Sequence, residues 1–377
     1  MDFNLTDDLE FMRKTVQDFA NAEIAPKAAD LDKNPRFPWQ TLKKMGEMGL
    51  LGILTPEKYG GSGLNTLAYA VLLEEIAVAD ASHATIMSVT NGLPQSMILD
   101  FGTDAQKEKY LPKLASGEWI GAFCLTEAAA GSDAAALKAS ARKVDGGWLL
   151  NGEKAWITSG SHAQVYLVML KTEEINQGIS CFIVEKDFDN LEFGKPEEKM
   201  GQHASITTSL SFNDCFVPDS ALLGEAGKGL SYALGSLDSG RIGIAAQSVG
   251  IARASLELAK NYAEERIAFK KSIKSFQGIS FKLADMALGL ESARLLTHKA
   301  AWLKDNNKPV TMAASMAKLY ASEMATKISH MAVQILGAYG YSKDYPAERY
   351  YRDARVTEIY EGSSEIQRLV ISRELYR

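Results

Sequence analysis

The spacing of apolar residues divides the chain into three regions. Up to about residue 120, apolar side chains recur every three or four positions, as in Leu72, Ile76 and Ala79, and this spacing predicts helices. Thr6, followed by acidic residues, predicts the start of the first helix. From about 121 to 227 the apolar residues form short runs typical of strands, and from about 228 the helical spacing returns.

The middle region predicts an antiparallel sheet or barrel. Its apolar runs, such as 165–169 and 179–184, are not separated by helix-length patterns, as parallel βαβ units would require. Asn151-Gly152 lies between two short runs and predicts a hairpin turn. In the last region, long helices are predicted at roughly 230–266, 276–304 and 310–336.

The predicted fold is therefore α+β and multidomain. It comprises an N-terminal helical domain (1–120), a middle β domain (121–227) and a C-terminal four-helix bundle domain (228–377).

Composition and charge exclude several classes of partner. The chain has 377 residues and a net charge of −6 without a long basic run, which argues against nucleic acid and anionic membranes. No apolar stretch reaches the length of a membrane span. The three cysteines are scattered and form no CxxC, which favours a reducing compartment. The acidic N-terminus resembles neither a signal peptide nor a presequence, so we expect a cytoplasmic protein, or a matrix protein whose transit peptide was removed.

Searches for common catalytic motifs are negative. GxGxxG, GxxxxGK[ST], GxSxG and HExxH are absent, so a nicotinamide site of the Rossmann type is not supported. The five histidines show no ligand spacing, and we predict no metal site.

Glu361 is the strongest candidate for catalysis. Tyr360 precedes it and Gly362 follows it, while Ser364 with Gln367 fits a capping box. This pattern predicts a tight loop directly before a helix. A carboxylate with few solvating neighbours there could have a raised pKa and act as a general base.

The same residue fits a second interpretation. Glu358, Glu361 and Glu365 are spaced as an exposed acidic stripe on one continuous helix would be. The local sequence leaves both interpretations open.

Two segments of the middle region could contact a cofactor. The segment 125–133 is rich in small and hydroxyl residues after a strand, which suits an anion site but also an ordinary turn. Trp156 and Thr158 lie two apart on a strand and should share one face, where an indole could stack on a flat ring. A tryptophan buried in the core is the alternative.

Together these segments resemble the acyl-CoA dehydrogenases over essentially the whole chain, and most of all the short-chain (butyryl-CoA) members. The shared motifs occur in the order found in that family. They are Leu125-Thr126-Glu127 with Gly131-Ser132-Asp133, Asn151-Gly152-Glu153-Lys154-Ala155-Trp156-Ile157-Thr158, Leu237-Asp238-Ser239-Gly240-Arg241, Arg266-Ile267-Ala268-Phe269, Gln334-Ile335-Leu336-Gly337 and Ile359-Tyr360-Glu361-Gly362.

The resemblance implies a noncovalent FAD and α,β-dehydrogenation of a fatty acyl-CoA. Glu361 matches the base that removes the α-proton, and electrons would pass to electron-transfer flavoprotein. It also implies cofactor contacts, in two groups. Those within one subunit are Phe123, Leu125, Thr126, Ser132, Trp156, Ile157, Thr158, Ser363, Ser364 and Glu365. Those that hold the FAD of a neighbouring subunit are Arg266, Phe269, Gln277, Gln334, Gly337 and Ala338. A shared site implies a homo-oligomer, and the family's usual form is a homotetramer built as a dimer of dimers.

The implied substrate contacts are Ser132, Asp238, Arg241 and Gly362, with Arg241 near the adenine end. Isovaleryl- and long-chain-type members carry their base at the position of Gly240, where glycine cannot serve. This favours short-, medium- or 2-methyl-branched acyl groups, and the sequence does not rank these.

The chain departs from the family pattern at four positions. Ala128 replaces a proline, which should loosen its loop, and Ser363 replaces a threonine but keeps the hydroxyl. Lys270 and Ala338 replace glycines, and Ala338 would be strained if its φ were positive.

Two other functions remain open from the sequence. Acyl-CoA oxidases and flavin monooxygenases share the resemblance, although oxidases are commonly longer and monooxygenases usually lack the residue that matches Glu361. A non-catalytic acyl-CoA-binding relative is the third hypothesis, and retention of Glu361, Trp156 and Thr158 argues against it.

Overall fold

Helices fill the first part of the chain, as the apolar spacing predicts. The computed structural model describes residues 4–172 and 178–376, so residues 1–3 of the acidic N-terminus lie outside it. Thr6 begins the first helix as predicted, because its hydroxyl accepts a hydrogen bond from the Leu9 N–H (3.3 Å). The helices of this region are α1 (Asp7–Phe19), α2 (Ala25–Lys33), α3 (Trp39–Glu47), α4 (Thr66–Ala79), α5 (Ala81–Thr90), α6 (Ser96–Phe101) and α7 (Asp104–Ala115).

One mixed sheet forms the middle of the chain. Its strands are β1 (Gly121–Cys124), β2 (Ser140–Val144), β3 (Gly147–Thr158), β4 (Val165–Thr172), β5 (Ile179–Glu185), β6 (Leu191–Phe193), β7 (Thr207–Pro218) and β8 (Leu222–Leu223). Along the sheet the order is β6-β7-β3-β2-β4-β5-β8, and β1 also pairs with β4. Most neighbours are antiparallel, as predicted, but β1 and β2 run parallel to β4. The β2–β3 hairpin lies between β1 and β4 in sequence and supplies the crossover that a parallel pair needs.

The predicted turn at Asn151-Gly152 is wrong. Strand β3 continues through both residues with a bulge, and the hairpin turn lies earlier, where Gly146 has a φ of 72°. Asn151 exchanges two 2.9 Å hydrogen bonds with Asp214 of β7. A Cβ on Gly152 would lie 2.7 Å from the Ala139 Cα, so a close approach of two backbones, not a turn, requires the glycine.

Long helices form the last part, within about one residue of the predicted bounds. They enclose one short hairpin. The elements are α8 (Gly229–Glu265), β9 (Ile267–Ala268), β10 (Lys271–Ser272), α9 (Gln277–Asp305), α10 (Thr311–Leu336), α11 (Ala338–Tyr341), α12 (Ala347–Arg355) and α13 (Ser364–Glu374).

The helices before and after the sheet share one core. Helices α8, α9 and α10 pack on one another, and α4, whose side chains are mostly buried, packs on α8 and α9. The main apolar core runs from α1 through one face of the sheet to the bundle. In the part of the chain that the structure describes, no helix has both the length and the apolar character needed to cross a membrane.

Candidate functional site

Glu361 lies on a short loop directly before α13, as one interpretation of the sequence predicts, and the continuous acidic stripe is wrong. Its φ is 52°, and that of Gly362 is 91°, so two consecutive residues adopt the left-handed region. The predicted capping box is also wrong. Ser363 is the N-cap residue, and its side chain makes no capping bond. Gln367 instead donates to the carbonyls of Gly362 (2.9 Å) and Glu361 (3.3 Å), and this holds the loop.

The carboxyl of Glu361 is shielded from solvent although the residue as a whole is only half-buried. Burial raises its pKa to about 7, against the opposing charges of Lys318 and Arg241. Among the described residues, neither Oε2 nor the backbone N–H of Glu361 has a hydrogen-bond partner. A carboxylate whose pKa is near neutrality and whose oxygen has no hydrogen-bond partner can accept a proton from a bound ligand.

Gly240 on α8 faces this carboxyl. A Cβ on Gly240 would lie 1.8 Å from Oε2 of Glu361, so a side chain there would have to displace the carboxyl. Position 240 and the Glu361 carboxyl therefore converge on one point in space.

Lys318, which the sequence analysis missed, lies beneath the loop. It is fully buried on α10, and its Nζ donates to the Gly362 carbonyl (2.8 Å). Burial lowers its pKa to about 8, against the opposing charge of Glu361. The signal in the sequence was a lysine on the same helix face as Ala314 and Ala321, where apolar residues were expected.

A chain of buried polar side chains anchors Tyr360, the neighbour of Glu361. The Tyr360 hydroxyl donates to Gln247 (2.6 Å), which donates to Thr85 (2.7 Å). Thr85 donates to Gln202 (2.6 Å), whose backbone N–H donates to Asp353 (2.5 Å). Burial raises the pKa of Asp353 to about 7. These hydrogen bonds tie the loop that carries Glu361 to α5, α8 and α12. No local sequence pattern predicts this connection.

Asp238 and Arg241 form an ion pair on α8, the helix whose Gly240 faces Glu361. Arg241 Nη1 lies 2.8 Å from Asp238 Oδ1, and Thr311 donates to the other carboxylate oxygen (2.7 Å). Arg241 is buried and lowers the pKa of Glu361. The contacts of Asp238 and Arg241 with substrate, including that of Arg241 near the adenine end, stay predictions.

Trp156 lies open to solvent on β3, an inner strand of the sheet. It is 60% exposed, so the alternative of a tryptophan buried in the core is wrong. The residue sits in a bulge of β3 with a φ of 61°. Ile157 is buried, whereas its neighbours Trp156 and Thr158 are more exposed. An exposed indole on strained backbone fits a flat ring that stacks on it.

The loop after β1 contacts the same part of β3. The Thr126 carbonyl accepts a hydrogen bond from the Ala155 N–H (2.9 Å). Glu127 accepts one from the buried Lys154 (2.7 Å), and this fixes the loop against β3. Ser132 lies further along this loop and is exposed to solvent. Of the predicted cofactor residues, Thr126 is thereby held beside the neighbour of Trp156. Phe123 lies on β1 and Leu125 directly follows it, while Ile157 and Thr158 follow Trp156 on β3.

A second group of predicted residues lies on the bundle. The guanidinium of Arg266 is 5.9 Å from the ring centre of Tyr339, and the Phe269 ring is 5.9 Å from that of Phe276. Phe269 is 89% exposed. We call this group the bundle patch, which consists of Arg266, Phe269, Gln277, Gln334, Gly337 and Ala338. Within residues 4–172 and 178–376, no hydrogen bond, ion pair or ring contact joins the bundle patch to Trp156.

The two missing glycines have different consequences. Lys270 has a φ of 66°, so it adopts the left-handed conformation at a cost of about 1 kcal/mol. Ala338 begins α11, and Gly337 before it carries the positive φ of 62°. Ala338 would be strained only at a positive φ, and because Gly337 carries that φ, Ala338 is not strained.

Family comparisons cover nearly the whole chain. The N-terminal, middle and C-terminal domains of acyl-CoA dehydrogenase match residues 6–118, 122–215 and 227–376, respectively.

Individual relatives agree with this match. A short-chain specific acyl-CoA dehydrogenase, mitochondrial, from Rattus norvegicus is 52% identical over 98% of this chain and 90% of its own. The butyryl-CoA dehydrogenase structure from Megasphaera elsdenii covers both chains fully with a TM-score of 0.98 and 43% identity. A structure from a study of the electron transferring flavoprotein of Acidaminococcus fermentans and flavin-based electron bifurcation also covers both chains fully, with a TM-score of 0.98 and 45% identity.

Proposed function

The chain belongs to the acyl-CoA dehydrogenase family, and from this membership we propose that it oxidises a short-chain acyl-CoA to the trans-2-enoyl-CoA with Glu361 as the base. Acyl-CoA dehydrogenation is its activity and FAD is its cofactor. The preference for a short chain is supported by the relatives described as short-chain specific and as butyryl-CoA dehydrogenase.

One observation carries the proposal. Glu361 combines a solvent-shielded oxygen without a partner, a pKa raised to about 7 and a loop held by Lys318 and Gln367. A carbon acid next to a thioester is very weak, so its base must be strong and fixed in position. Burial of substrate would expel water and strengthen the base further.

The backbone of the same residue has a second role. Charge develops on the thioester carbonyl as the α-proton leaves, and a fixed N–H donor stabilises it. The N–H of Glu361 has no partner among the described residues and is free for this purpose. Base and donor would then come from one residue, which fixes the α-carbon relative to both.

The part of β3 around Trp156 fits the flavin. When bound, FAD supplies the acceptor for the hydride that leaves the β-carbon. Trp156 offers an exposed face for stacking, and Thr158, two residues further on, offers a hydroxyl. The bundle patch would hold the FAD of a neighbouring subunit, since among the described residues no hydrogen bond, ion pair or ring contact joins it to Trp156 of its own chain. We therefore propose a homotetramer.

We extend the proposal to the partner, the location and the domain limits. Electron-transfer flavoprotein is the proposed electron acceptor, supported by the likeness to a chain from a study of such a protein. A cytoplasmic or mitochondrial matrix location is supported by the mitochondrial name of the Rattus norvegicus relative and by a bacterial relative from Bacillus subtilis. Domain limits near 120 and 227 are supported by the three family matches.

Anaerobic titration of the purified protein with butyryl-CoA tests the reaction. We expect the flavin band to bleach and a long-wavelength charge-transfer band to appear. An unchanged spectrum with butyryl-CoA and with longer and branched acyl-CoAs would refute the proposal.

Replacing Glu361 tests the base. We expect Glu361→Gln to keep FAD and acyl-CoA binding but to lower kcat at least about 100-fold, because the amide cannot accept the α-proton. Absorbance measures FAD content and stopped-flow measures flavin reduction. Near-normal turnover would contradict the assignment.

A further inference from the structure

Tyr69 and Ser88 form a buried hydroxyl pair near the proposed base. Tyr69 lies on α4 and Ser88 on α5, and the phenol donates to Ser88 Oγ (3.1 Å). Both residues are fully buried. Burial raises the pKa of Tyr69, and the charge of Glu361 raises it further, so the phenol lies within the field of that carboxylate.

The pair lies about one helical turn beyond the carboxylate. Gly240 of α8 faces Glu361, and Gly243 lies three residues further on. A Cβ on Gly243 would lie 2.5 Å from the Tyr69 hydroxyl and 2.5 Å from Ser88 Oγ. Because Cβ atoms three positions apart on a helix are about 5–6 Å from each other, the hydroxyl pair lies roughly that far along the helix face.

Gly92 lies across from these two positions. A Cβ there would be 3.6 Å from the Tyr69 hydroxyl and 3.8 Å from the Gly240 Cα. Because positions 92, 240 and 243 are glycines, none of the three places a side chain near the Glu361 carboxylate. The Tyr69 phenol is the group that both Gly92 and Gly243 approach.

The burial of α8 gives the direction in which an acyl chain would run. Leu234 and Gly235 are exposed, whereas α8 is buried without interruption from Ser239 to Ala252. The large, charged coenzyme must stay at the exposed end, and the apolar tail gains free energy by entering the buried end. From Glu361, this path leads toward Gly243 and meets the Tyr69 phenol.

We propose that Tyr69, braced by Ser88, is the residue that limits the length of the acyl chain. This inference rests on the proposed function and identifies its substrate as an acyl-CoA whose chain ends within about one helical turn of Glu361. A longer chain would have to displace a fully buried phenol and break its hydrogen bond to Ser88.

Shortening this side chain tests the proposal. We expect Tyr69→Ala to raise the ratio of kcat/KM for octanoyl-CoA to that for butyryl-CoA at least about tenfold, since a pocket discriminates single methylenes by about that factor. Tyr69→Leu, which leaves a smaller cavity, should shift the ratio in the same direction but less. Calorimetric Kd values for the two thioesters should change in parallel.

Leu73→Ala is the matched control. Leu73 lies one turn along α4 and is equally buried, so its truncation also weakens the core. Its chain-length ratio should stay at the wild-type value. An equal shift in Leu73→Ala would overturn the proposal, and so would an unchanged ratio in both Tyr69 variants.

The wild-type profile separates this inference from the proposed function. If wild-type protein oxidises no acyl-CoA of any length, both fail. If it oxidises octanoyl-CoA as well as butyryl-CoA, the reaction stands and only the role of Tyr69 fails.

Discussion

The residue scale shows how an ordinary glutamate acquires a pKa near neutrality. Two left-handed residues in succession turn the Glu361 side chain inward, where burial disfavours its charge. The left-handed region costs about 1 kcal/mol for a residue with a side chain. Hydrogen bonds from Lys318 and Gln367 to the loop carbonyls offset this cost.

Lys318 should also set the pH dependence of the reaction. Glu361 acts as a base only when deprotonated, so kcat/KM should rise with pH and level off above about 7, the pKa to which burial raises this carboxyl. In Lys318→Met, the charge that lowers this pKa is lost. We expect the midpoint of the pH profile to move upward by about one unit or more.

Lys327→Met is the control for this prediction. Lys327 is exposed on the same helix, and its loss should leave the midpoint unchanged. If Lys318→Met keeps the wild-type midpoint, the lysine serves the loop only as a hydrogen-bond donor.

Residues differed in how well the sequence predicted them. The loop position of Glu361 follows from Gly362 and its serines, because turn chemistry is local. Lys318 and Tyr69 were missed because their contacts join segments far apart in the chain. Gln367 was assigned to a cap, since its spacing alone does not show that its amide reaches the loop carbonyls instead.

At the scale of elements, strand β3 shows where a local signal misleads. Asn-Gly is a strong turn pair, yet here the asparagine bonds β7 and the glycine admits the backbone of Ala139. The three long helices were predicted within about one residue, because their apolar spacing persists over many turns. The course of β3 depends on contacts with other segments of the chain, whereas the bounds of the long helices follow from the periodicity of their apolar residues.

A buried ion network joins α1, α4, α8 and α9 around a polar cavity that contains none of the predicted site residues. Arg253 lies 2.9 Å from Glu74 and 2.5 Å from Glu75. Arg294 pairs with Glu74, and Arg13 pairs with Glu75. These pairs fix the N-terminal helices on the bundle, away from the base.

Removing the central arginine should therefore affect stability and not catalysis. We expect Arg253→Met to lower the free energy of unfolding by about 3 kcal/mol, at the lower end for a broken buried pair because Arg13 and Arg294 remain. Thermal denaturation measures the loss, and kcat per bound FAD should stay constant. Arg142→Met, at an exposed position on β2, should change neither quantity.

At the scale of the whole molecule, one chain carries two separate halves of the proposed cofactor site. Trp156 and its neighbours lie on the sheet, and the bundle patch lies at the ends of α8, α9 and α10. Each half leaves large rings open to solvent, of which Phe269 is the most exposed. Assembly of subunits would cover both halves together.

The link between cofactor and assembly can be tested at Arg266. We expect Arg266→Ala to lower FAD occupancy and the tetramer fraction together, because the guanidinium and its Tyr339 contact belong to the bundle patch. Flavin absorbance and light scattering after size exclusion measure the two quantities, with Arg142→Ala as the control. Full FAD occupancy on a monomer would contradict a shared site.

The length of α8 places a constraint on how this gene can change. Gly240, which faces Glu361, lies within one 37-residue helix, and Arg266 of the bundle patch directly follows its last residue. Each residue inserted or deleted between them would rotate one point against the other by about 100° and shift it by about 1.5 Å. Substitutions inside α8 can accumulate, but insertions and deletions there should be rare across its descendants.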